Sequence, residues 1–365
     1  MTEPITIDGS AGGGQMLRNA VALSAVSGHA VRVVNIRGAR PQPGLRPQHL
    51  MAVRAVAEVC NAALVGAEIG SREIEFHPGE IASKTGLRLD VGTAGSVLLV
   101  LQSLVPALGF AGSHSDLTVI GGTDVPFAPP FDHFAKVFLP ALAEIGPRVE
   151  ATLVCRGFYP KGGGEVRVRV QPSASLVGQE LVSCPVRFFN WLERGSVRAV
   201  QGKSYSQGLP AHIVERMRDA AVNVLAGAGH RAEIDLEIVP KGPSEGCGIV
   251  LWAECEGGRR FGGSALGRRG KRAEEVGAEA AHALLAELAG EWAVESHLAD
   301  QMIVWMALAD GPSEFTTRRL TDHIRNAAIV AEAITGVSFT LEDGYPARVR
   351  CDPPDAAGRG GAPQR

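Results

Sequence analysis

The sequence predicts an α/β (α+β) protein of repeated βαβαββ-type units, each a sheet with two helices, plus a smaller inserted α/β domain. Three observations predict this fold. Short apolar strands are followed by glycine-rich turns and amphipathic helices at several places in the 365 residues. Helices alternate in pairs with strands, and this sequence pattern changes after residue 183. The repetition has no fixed period in the sequence, which argues against a solenoid.

The first half of the chain repeats one order of elements: a short strand, a glycine-rich turn and a helix. Ile5–Asp8 alternates as a strand, residues 9–14 turn, and apolar residues then recur at helical spacing until Gly28 ends the helix. Pro129 and Pro130 stand at the start of a later helix, where proline is tolerated. Other helices are expected over about 47–62 and up to about residue 108.

In the second half, the sequence pattern changes after residue 183, and one clearly predicted helix and two strands follow. We therefore place an inserted small domain at 183–275, within a large domain formed by 1–182 and 276–345. Residues 346–365 are expected to form the C-terminal strand end and a disordered tail. Helices are expected over about 210–227, 272–289, 296–309 and 322–335, and the final strand over about 337–342.

Composition and charge narrow the class of protein. The chain is 45% hydrophobic and 21% charged, which is typical of a globular protein that buries a sizeable core. Its net charge of −3 argues against coating nucleic acid through bulk electrostatics, although a few local arginines can still recognise one nucleic-acid end. The six cysteines show neither a CxxC pair nor metal-ligand spacing, as in reduced cytosolic proteins. Without a signal-peptide pattern or a bilayer-length apolar stretch, we expect a cytoplasmic protein with no membrane association.

Three glycine-rich segments are candidates for anion binding. GSAGGGQ at 9–15 lacks the Walker A and dinucleotide fingerprints, so it is either a tight turn or an anion site at a helix N-terminus. RGFYPKGGGEV at 156–166 is either a phosphate cradle or a turn before a strand. IRGARPQPGLRPQHL at 36–50 carries three arginines, whose guanidinium forks suit phosphate; the alternative is a solvated loop.

Two further segments carry chemistry on helices. In HLADQ, His297, Asp300 and Gln301 share one helix face and could hold a nucleotide or its metal, or could simply be surface residues. His323 follows a plausible N-cap, where the helix dipole favours a neutral imidazole. A neutral imidazole can be a nucleophile, although a polar residue beside a helix cap is the simpler interpretation. RRGKR at 268–272 is either an RNA-binding patch or a solvated turn.

Together these residues resemble one family. RGFYPKGGGEV is similar to the signature of the RNA 3'-terminal-phosphate cyclases, and other segments occur in that family's order. Those segments are IRGARPQPGLRPQHL, GTAGSVLLVLQSLVPAL, GGTDVPFAPP, HLADQM and SEFTT followed by DHIRNAAIVAE. The resemblance covers nearly all of residues 5–345 and implies the same fold of repeated units with an inserted domain.

The resemblance also implies a reaction, that of an ATP-dependent cyclase of the ligase type. His323 would attack the α-phosphorus of ATP to give a histidine–AMP phosphoramidate and pyrophosphate. The AMP would pass to an RNA 3'-phosphate, forming RNA-ppA, and the vicinal 2'-OH would then close a 2',3'-cyclic phosphate and release AMP. The implied partners are ATP, a divalent metal such as Mg²⁺ or Mn²⁺, and RNA with a 3'-phosphate end.

Residue roles implied by the resemblance fall on matching motifs. The nucleotide pocket would be lined by Gln102, Pro129, His297, Leu298, Ala299, Asp300 and Gln301. Asp300 would also be the metal ligand. The RNA end and phosphates would be bound by Arg18, Arg37, Arg40, Arg46 and Gln48.

The chain departs from the family pattern in ways that leave alternatives open. The first turn is shorter than the family's G-E-G-G-G-Q, with Ala11 where a glutamate is expected, and this departure puts metal coordination in doubt. Asn326 and Ala327 stand where the family has Thr-Asn, and His297 stands where a tyrosine is common. One alternative is a non-catalytic cyclase-like RNA-binding protein of ribosome assembly, although relatives of that kind lack the histidine. A second is an enolpyruvyl-transferase-like enzyme, which rests on fold analogy alone.

Overall fold

The computed structural model describes residues 3–172, 176–177, 180–181 and 186–354. The expected start of the inserted domain at residue 183 and most of the expected tail lie outside these residues. The described part contains four sheets of four strands each and one two-stranded pair. The predicted α/β fold class is confirmed.

The first unit runs β-α-β-α-β-β, and its strands lie in the order β1-β2-β4-β3. Its elements are β1 (Ile5–Asp8), α1 (Gly13–Ser27), β2 (Val31–Val34), α2 (Pro47–Val59), β3 (Ala63–Val65) and β4 (Ile74–His77). The first two strands are parallel and the remaining pairs antiparallel. Gly28 ends α1 in the left-handed conformation, as the sequence predicts.

The second unit repeats the topology of the first, with the strand order β5-β6-β8-β7. Its elements are β5 (Thr85–Asp90), α3 (Val97–Gly109), β6 (Ser115–Gly121), α4 (Phe131–His133), a π-helical turn (Phe134–Phe138), α5 (Leu139–Ile145), β7 (Arg148–Cys155) and β8 (Gly164–Gln171). Three valines of β8 face inward and alternate with exposed arginines, the period expected of a sheet with one buried face. Two short strands, β9 (Leu176–Val177) and β10 (Glu180–Leu181), form the two-stranded pair.

The third unit begins at β11 (Asn190–Trp191) and is then interrupted by a different fold. The interruption comprises β12 (Val197–Gln207), α6 (Ala211–Gly227), β13 (Ala232–Val239), β14 (Gly246–Cys255), β15 (Arg260–Leu266) and α7 (Ala273–Leu288). Its strand order, β13-β12-β14-β15, differs from that of the repeated units. Both helices pack on this sheet and form a second hydrophobic core, which reaches Trp292. The expected boundary at residue 275 therefore falls inside α7, and the division into domains stays a prediction.

The third unit resumes after the interruption and closes in the order β11-β16-β18-β17. Its remaining elements are α8 (Ser296–Ala307), β16 (Ser313–Thr317), α9 (Asp322–Thr335), β17 (Ser338–Glu342) and β18 (Ala347–Asp352). The prediction that the last strand ends near residue 342 was wrong, because β18 follows it and pairs with both β16 and β17. Helices of the three units pack together through the contacts of α1 with α3 and α9 and of α3 with α8, which gives one continuous core.

The segment RGFYPKGGGEV attaches the inserted domain to the second unit. Arg156 is 1% exposed and donates hydrogen bonds to Asp124 at 3.1 Å, Asp132 at 2.7 Å and Glu237 at 2.6 Å. Its guanidinium also stacks on the ring of Tyr205 at 3.5 Å. Two of these carboxylates belong to the second unit, while Glu237 and Tyr205 belong to β13 and β12. A buried cation thus joins the two parts of the chain.

Backbone contacts of the same segment complete this junction. The Phe158 N–H donates to Ser244 Oγ at 2.7 Å, and that hydroxyl donates to the Gly162 carbonyl at 2.9 Å. Gly162 has a φ of 70°, and a Cβ there would lie 2.7 Å from the Thr93 carbonyl oxygen. These contacts make the glycines a packing feature and favour the tight turn over a phosphate cradle.

Candidate functional site

Two adjoining cavities of about 630 and 300 Å³ lie where α1, α3, α8 and α9 meet. The residues on the walls of both are Gln15, Arg18, Leu99, Phe127, Pro129, His297 and His323. The larger cavity is lined by arginine and histidine side chains. The smaller one combines polar side chains, among them Gln102 and Gln301, with apolar ones, among them Phe138 and Trp305. One side of the site therefore suits anions, and the other suits a flat ring that carries hydrogen-bonding groups.

His323 is the second residue of α9, and the side chain of Thr321 caps this helix. The ring Nδ1 is hydrogen-bonded to Gln15 Oε1. Because an amide oxygen only accepts, the proton resides on Nδ1 and the Nε2 lone pair is the basic one. Partial burial, together with the charges of Arg18 and Arg40, lowers the pKa of His323, so the ring is neutral near pH 7. The geometry is that of a nitrogen nucleophile at a helix N-terminus.

Gln15 links His323 to a carboxylate. Its Nε2 donates to Asp300 Oδ2 at 3.5 Å, and the same oxygen lies 4.0 Å from His323 Nδ1. Burial raises the pKa of Asp300 to about 7, against the opposing charges of His297 and Arg18. Asp300 therefore changes charge close to neutral pH.

The residues present fit a divalent cation held mainly by phosphate. Among the described residues, Asp300 is the only carboxylate on the walls of these two cavities. Mg²⁺ commonly takes one or two carboxylates, several waters and substrate phosphate oxygens. A single carboxylate beside an arginine-lined cavity matches that donor set.

A buried carboxylate fixes the ring of His297 at the junction of the cavities. Glu295 caps α8, accepting from the Leu298 N–H at 2.7 Å and the His297 N–H at 3.0 Å. Its Oε1 also lies 3.0 Å from His133 Nε2, and its Oε2 lies 3.3 Å from His297 Nδ1. The hydrogen bond and charge of Glu295 raise the pKa of His297 to about 9. The exposed ring of His297 is therefore a cation at neutral pH.

The same three side chains could be taken for a metal site. The ligand atoms of His133, Glu295 and His297 lie within 4.8 Å of one another. Each oxygen of Glu295, however, already meets one backbone N–H and one imidazole nitrogen. This saturation favours a hydrogen-bonded cluster over a chelate.

Three arginines line the larger cavity. Burial lowers the pKa of Arg18 to about 10, which leaves it charged at neutral pH. Arg37 donates to the carbonyls of Gln42 and Gly44 at 2.8 and 2.9 Å and so holds its own loop in place. Arg40 lies against the glycines of the first turn. Three cations around one cavity match a phosphate-rich ligand.

The glycines of GSAGGGQ allow side chains to reach this wall. A Cβ on Gly14 would lie 2.2 Å from His49 Nε2 and 3.1 Å from Arg18 Nη1. The bare backbone therefore lets both side chains approach the start of α1. Burial and the neighbouring arginines lower the pKa of His49 to about 3, so its ring is neutral.

The structure brings most of the predicted site residues together. Those on the cavity walls are Arg18, Arg37, Arg40, Gln48, Gln102, Pro129, His297, Asp300, Gln301 and His323. Gln48 also accepts a 3.0 Å hydrogen bond from the Ser96 N–H and so links the first two units. Arg46 is not on these walls, because it is the exposed N-cap of α2. Leu298 and Ala299 are buried in the core, so their side chains do not face the cavities.

Several residues of the site were missed in the sequence. Gln15 ends the quoted GSAGGGQ segment, and its position one turn before Arg18 on α1 was an available signal. Glu295 and His133 lie 162 positions apart, and their pairing has no local signature. Phe127 stands inside the quoted GGTDVPFAPP segment, yet the sequence pattern does not reveal its exposure.

The altered first turn borders a third cavity of about 440 Å³ on the other side of His323. Its walls are formed by Ala11, Gly12, Arg40, Arg319, Leu320, Thr321, Asp322, His323 and Asn326. The carboxylate on this wall is that of Asp322, not of a residue in the turn. The expected glutamate position thus contributes only a methyl group here.

No helix in the described ranges is long and apolar enough to cross a membrane. A model of the family described as RNA 3'-terminal phosphate cyclase matches residues 10–341. A structural comparison found the enolpyruvyl transferase NikO from Streptomyces tendae at a TM-score of 0.26 and 11% identity, covering 96% of this chain and 82% of that one. So low a score carries no argument about the fold.

Curated relatives named RNA 3'-terminal phosphate cyclase match almost the whole chain. The protein of Archaeoglobus fulgidus is 47% identical, covering 93% of this chain and 98% of the relative. That of Pyrococcus abyssi is 43% identical, covering 95% and 98%, and that of Methanopyrus kandleri is 42% identical, covering 96% and 99%.

Proposed function

The chain belongs to the RNA 3'-terminal phosphate cyclase family, and from this premise we propose that it converts the 3'-terminal phosphate of RNA into a 2',3'-cyclic phosphodiester with consumption of ATP. The observation that carries the proposal is the neutral ring of His323, held by Gln15 at the edge of an arginine-lined cavity. The names of the relatives favour the catalytic branch over a non-catalytic RNA-binding protein.

In the first step, Nε2 of His323 attacks the α-phosphorus of ATP. A P–N bond forms, the bond to the bridging oxygen breaks, and pyrophosphate leaves. Gln15 holds the ring through Nδ1, so that Nε2 keeps one direction throughout the step. The lowered pKa of His323 keeps the lone pair available at neutral pH.

The second and third steps move AMP onto RNA and off again. An oxygen of the RNA 3'-phosphate attacks the phosphoramidate, which restores His323 and gives RNA-ppA. The vicinal 2'-hydroxyl then attacks the RNA phosphorus and displaces AMP, leaving the cyclic phosphate. The sequence is covalent catalysis, because a phosphate monoester becomes a good electrophile only after it carries a leaving group.

The walls of the two cavities divide these ligands between them. We assign the adenine to the smaller cavity, where the amides of Gln102 and Gln301 and the apolar ring of Pro129 line a space of mixed polarity. In the larger cavity, the phosphates of ATP and RNA would be bound by Arg18, Arg37 and Arg40. When bound, a divalent cation at Asp300 would neutralise charge on the triphosphate.

Conversion of the RNA end tests this proposal. A 3'-phosphorylated oligoribonucleotide incubated with protein, ATP and Mg²⁺ should acquire an end that resists phosphatase. The matched control is Arg231→Ala, on a residue that lines neither cavity, which should convert the RNA at the wild-type rate. An end that stays phosphatase-sensitive with wild-type protein would refute the proposed reaction.

A further inference from the structure

Phe127 presents a fully exposed aromatic ring on a strained backbone. Its side chain is 103% exposed, and its φ is 66°, a conformation that bulky residues rarely adopt. Residues held in such conformations cost stability and cluster at ligand clamps and active sites. The exposure of the ring and the strain of its backbone therefore indicate that Phe127 contacts a ligand.

The loop that carries Phe127 is anchored on both sides. Before it, Asp124 accepts hydrogen bonds from Arg156 at 3.1 Å and from the Tyr205 hydroxyl at 2.6 Å, and Val125 is buried. After it, the Phe131 N–H donates to the Thr123 carbonyl at 3.1 Å and closes the loop. With its ends fixed, the loop holds the ring in place without apolar neighbours covering it.

The ring lies at the junction of the two cavities. Phe127 lines the larger one together with Arg18, Arg37 and Arg40, and it lines the smaller one as well. A bare aromatic ring next to guanidinium groups is the usual combination in proteins that bind single-stranded nucleic acid. The cations bind the backbone and the ring stacks on a base.

We propose that Phe127 stacks on the base of the 3'-terminal nucleotide of the RNA. The inference rests on the proposed function and adds an RNA-binding contact to it. The adenine of ATP is the less suitable occupant, since we assign it to the smaller cavity, whose walls carry the amides of Gln102 and Gln301 for a purine to bind. A ring open to solvent at the rim instead suits a base that arrives on a flexible strand. Every base has a stacking face, so this contact should tolerate all four bases.

The Phe127→Ala variant separates the RNA step from the ATP step. We expect its KM for a 3'-phosphorylated oligoribonucleotide to rise about tenfold, a clearly larger factor than any rise in its KM for ATP during self-adenylylation. Phe127→Trp should restore the wild-type KM. Phe188→Ala is the matched control, because Phe188 is also exposed, at 58%, but lines neither cavity.

An RNA whose terminal nucleotide is abasic completes the test. For wild-type protein, the KM for this RNA should be higher than that for intact RNA by the same factor, about tenfold. For Phe127→Ala, the KM should be the same for both RNAs. A rise in the KM for ATP during self-adenylylation of Phe127→Ala that equals or exceeds the rise for RNA would overturn the proposal, since the ring would then serve adenine. Unchanged kinetics of Phe127→Ala in both steps would overturn it too, and would leave contact with another protein as the reason for exposure. Absence of wild-type self-adenylylation is a different result, which would refute the proposed function itself.

Discussion

The Nδ1 atom of His323 lies 4.0 Å from Oδ2 of Asp300, and the side-chain amide of Gln15 joins the two. The amide accepts a hydrogen bond from the ring and donates one to the carboxylate, so it positions both side chains. A residue from the first helix of the first unit thus sets the tautomer of a histidine in the third unit. Gln15 therefore fixes the position of the carboxylate relative to His323, the nucleophile that we propose.

Replacing Gln15 should slow the first step. In Gln15→Ala the ring of His323 loses its fixed direction and its preferred tautomer, so we expect self-adenylylation at saturating ATP to slow roughly 10- to 100-fold. Rapid-quench measurement of labelled protein gives this rate. Gln171→Ala, on the exposed end of β8, is the control and should react like the wild type.

Asp300 should govern the metal requirement and its pH dependence. Its pKa is raised to about 7, so the carboxylate that we propose as the metal ligand is charged above pH 7 and loses its charge as the pH falls below it. The Mg²⁺ concentration for half-maximal self-adenylylation should therefore rise as the pH is lowered from 8 to 6. In Asp300→Asn it should be at least about tenfold higher and independent of pH over this range. A wild-type requirement that is flat with pH would contradict this role.

The cation on His297 should make ATP binding sensitive to alkaline pH. The raised pKa, about 9, keeps the ring charged below that pH and neutral above it. At saturating Mg²⁺, the KM for ATP in self-adenylylation should therefore be flat below about pH 8 and rise as the pH passes 9. His297→Gln should move the start of this rise toward pH 10, where Arg18 loses its charge, whereas His114→Gln, on an exposed histidine outside the cavities, should retain the wild-type rise.

A change of Glu295, the hydrogen-bond partner of His297, tests the charge of His297 more directly. In Glu295→Gln the side chain can still cap α8, but the negative charge beside the ring is gone. The rise in KM should move from about pH 9 toward the ordinary histidine range near 6.5. His133, Glu287, Asp300, Arg18 and His323 also face this cluster and remain in the variant. An unmoved pH dependence in Glu295→Gln would show that Glu295 does not set the charge of His297.

Loss of Arg156 should destabilise the protein, because its guanidinium is the buried cation that joins the second unit to β12 and β13. The change to Met leaves the buried Asp124 without its cation and leaves Asp132 with Lys203 at 3.7 Å, which costs about 3–5 kcal/mol of unfolding free energy. Urea unfolding measures this loss. Arg167→Met on the exposed face of β8 should change the stability by less than about 0.5 kcal/mol. Equal stability of the two variants would mean that the buried junction is not stabilising.

Local signals made much of the fold predictable. The apolar spacing, the N-cap and the closing glycine of α9 predict a helix over 322–335, and the structure has the same bounds. The change in sequence pattern after residue 183 predicts an inserted domain, and this division stays a prediction. β18 was expected only as a strand end after residue 346, although its alternation of three buried residues with exposed arginines is the pattern of a strand with one buried face.

The arrangement of the site was less predictable, because its contacts are distant in sequence. His323 and Gln15 are 308 positions apart, and no local pattern brings an amide from α1 to the N-terminus of α9. The position of each helix end could be predicted, but the packing of three units against one another decides which ends meet. Phe127 is the extreme case, since neither its positive φ nor its exposure follows from the residues beside it.

Covalent labelling tests the central claim most directly. Incubated with α-labelled ATP and Mg²⁺, wild-type protein should acquire an acid-labile label and release one pyrophosphate per label, while His323→Ala should acquire none. The wild-type label should pass to a 3'-phosphorylated oligoribonucleotide and then appear as AMP. An equal amount of label on His323→Ala would contradict the assignment of the nucleophile. An unlabelled wild-type protein would contradict the covalent mechanism.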